Sequence, residues 1–367
     1  MQDLVAQIDA VHTSAAVYPL TERAFLRITG VDATRWLNGM VTNSIRDLAP
    51  LEGNYNFLLN AQGRIEGDCT IYRAGTGLSG TGLPGSGLSE AEAEPEFVLC
   101  TSETQIGPIE ALLDRFIIMD DVEITRVLYV DGIIPVQRGL GLLGKGAAHL
   151  LLRTLRLLNQ SFTELPTPGH MLPDRANGTP FVVFTPPPTV PSAPCFEVWS
   201  QSGLQLDLIR ENLLSMGAAQ ITPQAVEALR ILHGQPRYGV DIRNTEHARD
   251  LPQETAQTHA LHFNKGCYLG QEIVERIRSR GQVHRALTRF TLQGTMPMLP
   301  ALLEASIAGQ TRAAGELTSA VEIGGTLHAL GYLRRELAAQ PITYAGGTAT
   351  PVTAVPKTDE SSTKESA

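Results

Sequence analysis

Four cysteines, Cys69, Cys100, Cys195 and Cys267, are the residues of this chain whose type first raises a question of chemistry. No two of them fall in a C-x-x-C window, so the paired spacing of a zinc or cluster site is missing and no metal site is expected. Cys69, Cys100 and Cys195 each sit in a short apolar run (DCTIY, FVLCT, CFEVW), where an unpaired cysteine behaves as a small hydrophobe. Cys267 differs. It stands in KGCYLGQEIVERIRSR, two residues after Lys265, with Gly266 and Gly270 leaving the backbone free to turn beside it. The residues beyond Gly270 read as a helix from about Gln271. Glu272 falls in its first turn, Ile273, Val274 and Ile277 make an apolar stripe, Arg276, Arg278 and Arg280 load the end, and Gly281 stops it. A thiol just upstream of a helix N-terminus and near a lysine is expected to be more acidic and more reactive than a free cysteine. The alternative is an inert thiol buried in a tight turn, and the residues alone weigh equally for both.

The elements that must position this segment alternate between helical and strand-like patterns. VDATRWLNGM places Ala33, Trp36, Leu37 and Met40 at helical spacing, and TQIGPIEALLDRFII repeats the period after a Gly-Pro break. TPQAVEALRILHG has Thr222 as N-cap, Pro223 at the first helical position, an apolar face of Val226, Leu229 and Ile231 or Leu232, and Gly234 as stop. RIEGDCTIYR and EFVLC read as strands. They are joined by Gly75 to Pro95, a Gly/Ser near-repeat (TGLSG, TGLPG, SGLSE) running into AEAEPE, which lacks the apolar surface to pack and reads as a disordered loop. A second loop is expected over 163–194, around the polyproline-like TPPPTVPSAP. After residue 283 short strands separated by glycine turns (RALTRFTLQG, AAGELTSAV, ALGYLRREL) suggest a small β-barrel. The expected class is therefore α+β with a C-terminal β-barrel. A body over 1–240, with two interleaved subdomains, leads into a signature segment over 241–282, a barrel over 283–355 and a disordered tail over 356–367.

At 367 residues and 43% hydrophobic, the chain is long enough for two or three domains with cores of their own. A net charge of −9 gives no global field for nucleic acid or anionic lipid, so no direct nucleic-acid partner is expected. The densest basic string, Arg276 to Arg289, reads as a solvated helix end and loop. No Lys or Arg precedes Arg23, as a secretory or transit leader would require, and no apolar run reaches the ~18 residues that span a bilayer. With few, unpaired cysteines, these features imply a reducing, cytoplasmic setting without membrane partners.

Taken together, LRITGVDATRWLNGMVTNSI, LLNAQGRIEGDCTIYR, EALRILHGQPRYGVDI with LPQE, and KGCYLGQEIVERIRSRGQVHR resemble the YgfZ family of folate-binding proteins, relatives of the glycine cleavage T-protein, an aminomethyltransferase. GELTSA and GYLRRE resemble its C-terminal barrel. The resemblance implies a T-protein-like fold, tetrahydrofolate or a one-carbon derivative as ligand, and support of iron–sulfur cluster assembly or repair, with iron–sulfur proteins or assembly factors as partners and cluster-dependent enzymes, tRNA-modifying ones among them, as beneficiaries. The transferase branch has K-x-D-F-I-G-R/K-E where this chain has Cys267 and Gln271, which favours the YgfZ branch. That transferase branch also ends the GRIEGD strand in two aspartates, where this chain has Gly67 and Asp68.

Carried over by that resemblance, Glu197 is the candidate for the pterin, whose neighbouring amino and ring N–H groups suit one carboxylate. Alternation in CFEVWSQ sets Cys195, Glu197 and Trp199 on one strand face, so the carboxylate would share its face with an aromatic plate; a solvent-facing glutamate is the plain alternative. Arg237 could supply a forked donor to the glutamyl tail. Tyr238 could stack on the ligand or be an ordinary core tyrosine. Asp68 could stabilise charge in a transferase-like pocket or merely satisfy a turn, and Asn43 and Arg64 are pocket candidates by resemblance alone. Three readings of function stand: a tetrahydrofolate-dependent accessory protein using Cys267 with Lys265, a folate-dependent aminomethyl or methyl transferase using Asp68, and a folate-responsive binding module without chemistry.

Overall fold

A computed structural model describes residues 3–74, 95–126, 139–158, 163–174, 181–186, 193–200, 202–246, 248–280 and 283–352. The Gly/Ser-rich loop, the 356–367 tail and the Gly281 stop lie outside these residues.

The chain opens with α1 (Leu4–Thr13), capped by Asp3, whose carboxylate accepts from the Val5 amide at 3.1 Å. It then enters β1 (Ala16–Leu20) and crosses at once to β2 (Arg23–Thr29). Next come α2 (Ala33–Met40), β3 (Gly53–Leu59), β4 (Ile65–Arg73), β5 (Phe97–Ser102), α3 (Glu103–Asp114) and β6 (Glu123–Arg126), which build one sheet in the order β3-β4-β5-β2-β6. The chain returns through β7 (Gly139–Leu143), α4 (Ala147–Leu157), β8 (Met171–Asp174), β9 (Phe181–Phe184), β10 (Cys195–Ser200), α5 (Gly203–Ser215) and β11 (Ala219–Gln220) to complete a second sheet in the order β11-β1-β7-β10-β9-β8. The first sheet is thus an insertion between two strands of the second. α3 runs unbroken through Gly107 and Pro108, where the sequence suggested a break. Its buried Ile106, Ile109, Leu112 and Leu113 offset the hydrogen bond that proline cannot make.

Each sheet has two unlike faces because its side chains alternate. Leu26, Ile28, Ile71 and Leu99 pack with Trp36 and Leu37 of α2 and Ile109 of α3 on the outer face of the first sheet. Leu142, Phe196 and Val198 pack with Leu151 of α4 and Ile209 of α5 on the outer face of the second. The two inner faces meet in a third cluster, Phe25, Tyr72, Val98, Val182, Phe184 and Trp199. One expectation is corrected by this arrangement. The 163–194 tract is not a spacer throughout, because Met171–Asp174 and Phe181–Phe184 pair antiparallel and join the second sheet. The run FVVF is buried at all four positions, and that burial outweighs the prolines around it.

α6 (Pro223–His233) has the expected ends: Thr222 accepts from the Ala225 amide at 3.3 Å, and Gly234 closes it with φ of 73°. After it the connecting segment reaches α7 (Gln271–Arg280) and then a closed barrel of β12 (Arg285–Gly294), β13 (Ala301–Ile307), β14 (Gln310–Ile323), β15 (Thr326–Arg334), β16 (Ile342–Tyr344) and β17 (Gly347–Pro351). Body and barrel are joined by buried charge. Asp241 is fully buried and accepts from Arg230 of α6 at 2.5 Å, Ser319 at 2.7 Å, Thr318 and the Arg237 amide at 3.1 Å. Beside it Arg285 bridges Asp250 at 2.7 Å and Glu254 at 3.1 Å, with its guanidinium over the Tyr332 ring. Removing one partner from such a network strands the others without water. Asp241→Ala should therefore cost about 3 to 5 kcal/mol, read as a lower urea midpoint, and an unchanged midpoint would show that the join does not depend on this charge.

Candidate functional site

Where the inner faces of the two sheets meet, a carboxylate and a guanidinium cross from one sheet to the other. Glu197 of β10 is 4% exposed, and its Oε1 accepts from Arg23 of β2 at 2.5 Å (Nη2) and 3.2 Å (Nε). Its other oxygen accepts from the Trp199 indole at 3.3 Å. Trp199 itself is fully buried and meets Phe25 edge-on, so it holds the carboxylate in place while packing the core. Two glycines of β7 make room for this wall. A Cβ at Gly139 would lie 2.7 Å from the Trp199 ring, and one at Gly141 would lie 2.2 Å from the ring of Tyr18. Arg23 is 39% exposed at its side chain, so the pair reaches solvent on the arginine side.

Asp68 belongs to the same neighbourhood. It lies on β4 on the face opposite Gly67, Cys69 and Ile71, of which Cys69 and Ile71 pack in the cluster covered by the helices. Its Oδ2 accepts from Tyr55 at 2.7 Å and its Oδ1 from the Gln105 amide at 2.8 Å. Gly67 is what lets α3 come close: a Cβ there would press on Ile109 at 3.0 Å and stand 3.4 Å from Gln105 Oε1. The two positions are thus not equivalent, and Asp68 is the one on the inner face. Burial raises its pKa, against the opposing pull of the Tyr55 and Gln105 hydrogen bonds and of the Arg23 charge. A carboxyl held this way can exchange a proton closer to neutrality than a free aspartate.

The Cys267 segment docks on the end of α2. Leu269 donates its amide to the Gly39 carbonyl at 3.0 Å, and Lys265 donates its amine to the carbonyls of Val41 at 2.7 Å and Asn43 at 2.5 Å. Burial, with the Arg46 charge nearby, draws the Lys265 pKa down to about 7, and a neutral amine still has the two protons that these carbonyls use. The hydrogen bonds of Lys265 thus anchor the loop that carries the thiol. The two glycines differ. Gly270, at φ of 82°, lies so close to the turn before β4 that a Cβ would meet the Asn60 carbonyl at 2.5 Å, whereas Gly266 has nothing within 4 Å. Cys267 is left exposed on the wall of a cleft of about 360 Å³ that also includes Arg35, Trp36, Arg46 and Phe116.

Other expected residues are placed differently. Arg237 is half exposed and pairs with Glu227 of α6 at 3.2 Å, which leaves Arg23 as the cation at Glu197. Tyr238 donates to the Glu66 carbonyl at 2.6 Å and packs beside Phe57 and Ile65, closer to the core reading than to a stacking plate. Asn43 and Arg64 hold backbone: Asn43 donates to the carbonyls of Tyr55 and His259, and Arg64 to that of Arg249 at 2.6 Å. Sequence reasoning passed over Arg23, Tyr55, Gln105 and Arg46. Only Arg23 left a trace, in the alternation of Arg23, Phe25 and Arg27 against Ala24, Leu26 and Ile28. Among the described residues no three His, Cys, Asp or Glu side chains gather to hold a metal, and no helix is long and apolar enough to cross a membrane.

These environments set the order in which the cysteines react. Burial pushes the Cys100 and Cys195 thiols up to about 12 and Cys69 well above its ordinary value, so a charged alkylating reagent near neutral pH should modify exposed Cys267 first. Peptide mapping that finds any of the other three ahead of it would contradict the structure. For Lys265 the folded pKa of about 7 lies below the unfolded value of ~10.4. The unfolded chain therefore binds the extra proton between these values, and stability should rise with pH across that window. Lys265→Met should remove this rise in urea titrations at pH 7 and pH 9, and should lower stability by about 1 to 3 kcal/mol through its two orphaned carbonyls.

Known proteins share this architecture. The GCVT N-terminal domain model matches residues 1–77. The tRNA-modifying protein YgfZ of Yersinia pestis is 26% identical over 329 residues, 88% of this chain and 86% of that protein. The mitochondrial iron–sulfur cluster assembly factor IBA57 homolog of Neurospora crassa is 26% identical over 292 residues, 78% of this chain; the aligned region spans 56% of the Neurospora protein. Among solved structures, aminomethyltransferase T of the glycine cleavage system from Bartonella henselae superposes with a TM-score of 0.73 at 17% identity, covering 96% of this chain and 89% of that one. In sequence the chain is thus similar to YgfZ and IBA57 proteins over most of its length, and in fold to the glycine cleavage T-protein.

Proposed function

We propose that the chain is a tetrahydrofolate-binding accessory protein that supports iron–sulfur cluster assembly or repair in the cytoplasm, and through it cluster-dependent enzymes such as those that modify tRNA. The observation that carries the folate part is the Glu197 carboxylate, buried yet held ready by Arg23 and the Trp199 indole at the junction of the two sheets. Its Oε1 is filled by the two Arg23 donors, but Oε2 accepts from the indole alone and keeps a lone pair for an N–H donor of a pterin. Arg23, partly exposed beside it, is the cation for an anionic portion of the ligand. The accessory role draws on the relatives named for iron–sulfur assembly and tRNA modification, and on Cys267, the exposed thiol. Iron–sulfur proteins or assembly factors are the partners this reading requires.

A second reading has support from one observation. Asp68 faces inward with a raised pKa and a hydroxyl and an amide donor upon it, an arrangement that suits stabilisation of a cationic one-carbon group in transfer.

Calorimetric titration of tetrahydrofolate tests the first. Binding is expected for the wild type, and Glu197→Gln should weaken it by about 1.5 to 3 kcal/mol, since a charged acceptor is lost while volume is kept. Equal affinities would remove Glu197 from the site. In a bacterial strain lacking its own protein of this type, Cys267→Ser should bind folate normally and fail to restore a tRNA modification made by an iron–sulfur enzyme. Full restoration would leave Cys267 as a residue that only fills a turn. Asp68→Asn separates the second reading: an unaltered restoration would count against one-carbon chemistry.

A further inference from the structure

The cleft at Cys267 has a rim that the functional reading does not use. Phe116, 36% exposed, lines the cleft and is followed in the chain by Ile118, 81% exposed, and Met119, 94% exposed. Val31, 62% exposed, belongs to the same rim, because the turn that carries it is tied to the 116–121 segment from both sides. The Asp32 amide donates to the Asp121 carbonyl at 3.2 Å, and the Asp121 amide donates to Asp32 Oδ2 at 3.0 Å. The Trp36 indole donates to the Phe116 carbonyl at 3.0 Å, and Arg35 joins Asp32 to Asp120. These side chains are therefore held exposed by a closed set of hydrogen bonds. A cluster of large apolar residues fixed in water marks a surface that another molecule covers.

The charges of the cleft say what kind of molecule. Arg35 is matched by Asp32 and Asp120, and Asp47 is held by the Ser44 hydroxyl at 2.5 Å. Arg46, exposed on the cleft wall, has no hydrogen bond or ion pair among the described residues, and it is close enough to Lys265 to depress its pKa. The cleft thus offers one unmatched cation beside the thiol, on a chain whose net charge is −9.

We propose that this face is the docking surface for a protein partner, in which Ile118, Met119 and Val31 grip an apolar patch while an acidic group of the partner enters the cleft to meet Arg46 beside Cys267. The inference rests on the accessory function proposed above and names the surface through which it acts. An acidic protein segment satisfies both halves of the site, the apolar rim and the unmatched guanidinium. A second copy of this chain and a lipid surface are the other occupants to be told apart.

The test uses the full chain in the same complemented strain. Ile118→Ser with Met119→Ser, and separately Arg46→Glu, should each lower the restored tRNA modification by about tenfold or more, as loss of interface anchors does. Both should keep tetrahydrofolate affinity at the wild-type value, the rim pair should also keep the melting temperature and the Cys267 alkylation rate, and Arg46→Lys should retain most of the restoration. Wild-type restoration by the rim and charge-reversal variants overturns the docking surface while leaving the accessory function standing. Failure of the wild type itself overturns the accessory function, and the docking surface with it. Sedimentation of the wild type as a dimer that Met119→Ser returns to monomer would assign the face to a second copy. Co-sedimentation with phosphatidylglycerol vesicles that Arg46→Glu abolishes would assign it to lipid, and either result overturns the proposal.

Discussion

The ion pair between Arg23 and Glu197 is the constraint on which most of this site depends. A carboxylate that is 4% exposed keeps its charge only where a counter-charge and hydrogen bonds replace water, and the counter-charge here comes from the other sheet. β2 and β10 must therefore present Arg23 and Glu197 at the same level of the junction. That condition fixes the strand faces on both sides. Arg23, Phe25 and Arg27 point inward from the first sheet, and Cys195, Glu197 and Trp199 from the second. A slip of one residue in either strand would exchange charged groups for the apolar residues that pack against the helices.

The surroundings of the pair are arranged so that polar and apolar demands are met in one place. Trp199 donates to the carboxylate with its indole and fills the core with its ring, and Phe25 does the packing from the opposite sheet. The ring can occupy that position because β7 has glycine beneath it, where any side chain would collide. On the other side, Gly67 admits α3 closely enough for Gln105 to hold Asp68 at both its backbone and its side chain. Missing side chains on two strands thus decide where two carboxylates stand.

The segment around Cys267 is built by a different principle. Its anchors are backbone carbonyls at the end of α2, reached by the Lys265 amine and the Leu269 amide, together with the close approach of Gly270 to the 60–63 turn. These contacts immobilise the loop on both flanks of the thiol and leave the thiol itself in water. The same helix holds the 116–121 segment through Trp36. The cleft wall and its apolar rim are consequently one rigid unit rather than two loops meeting by chance.

The sequence by itself determined the local elements. The caps and period of α6, the helical spacing of Trp36 and Met40, the alternation through Cys195 to Trp199 and the closely spaced strands of the barrel are set by contacts between near neighbours, and near neighbours are legible in a linear pattern. That Cys267 stands apart from three cysteines in apolar strands was legible for the same reason, whereas its exposure was not. Only the tertiary structure decided which charge meets which. Arg23 is 174 positions from Glu197, and no local pattern favours it over Arg237, which instead finds Glu227 on the adjacent helix. Lys265 stands two residues from the thiol but spends its protons on carbonyls 224 and 222 positions away. Trp199 carries the periodicity of a strand facing a ligand, and the opposite sheet turns that face into core. Electrostatic partners are selected by distance in space and by the cost of leaving a charge or carbonyl without one, and neither quantity exists until the two sheets have closed on each other.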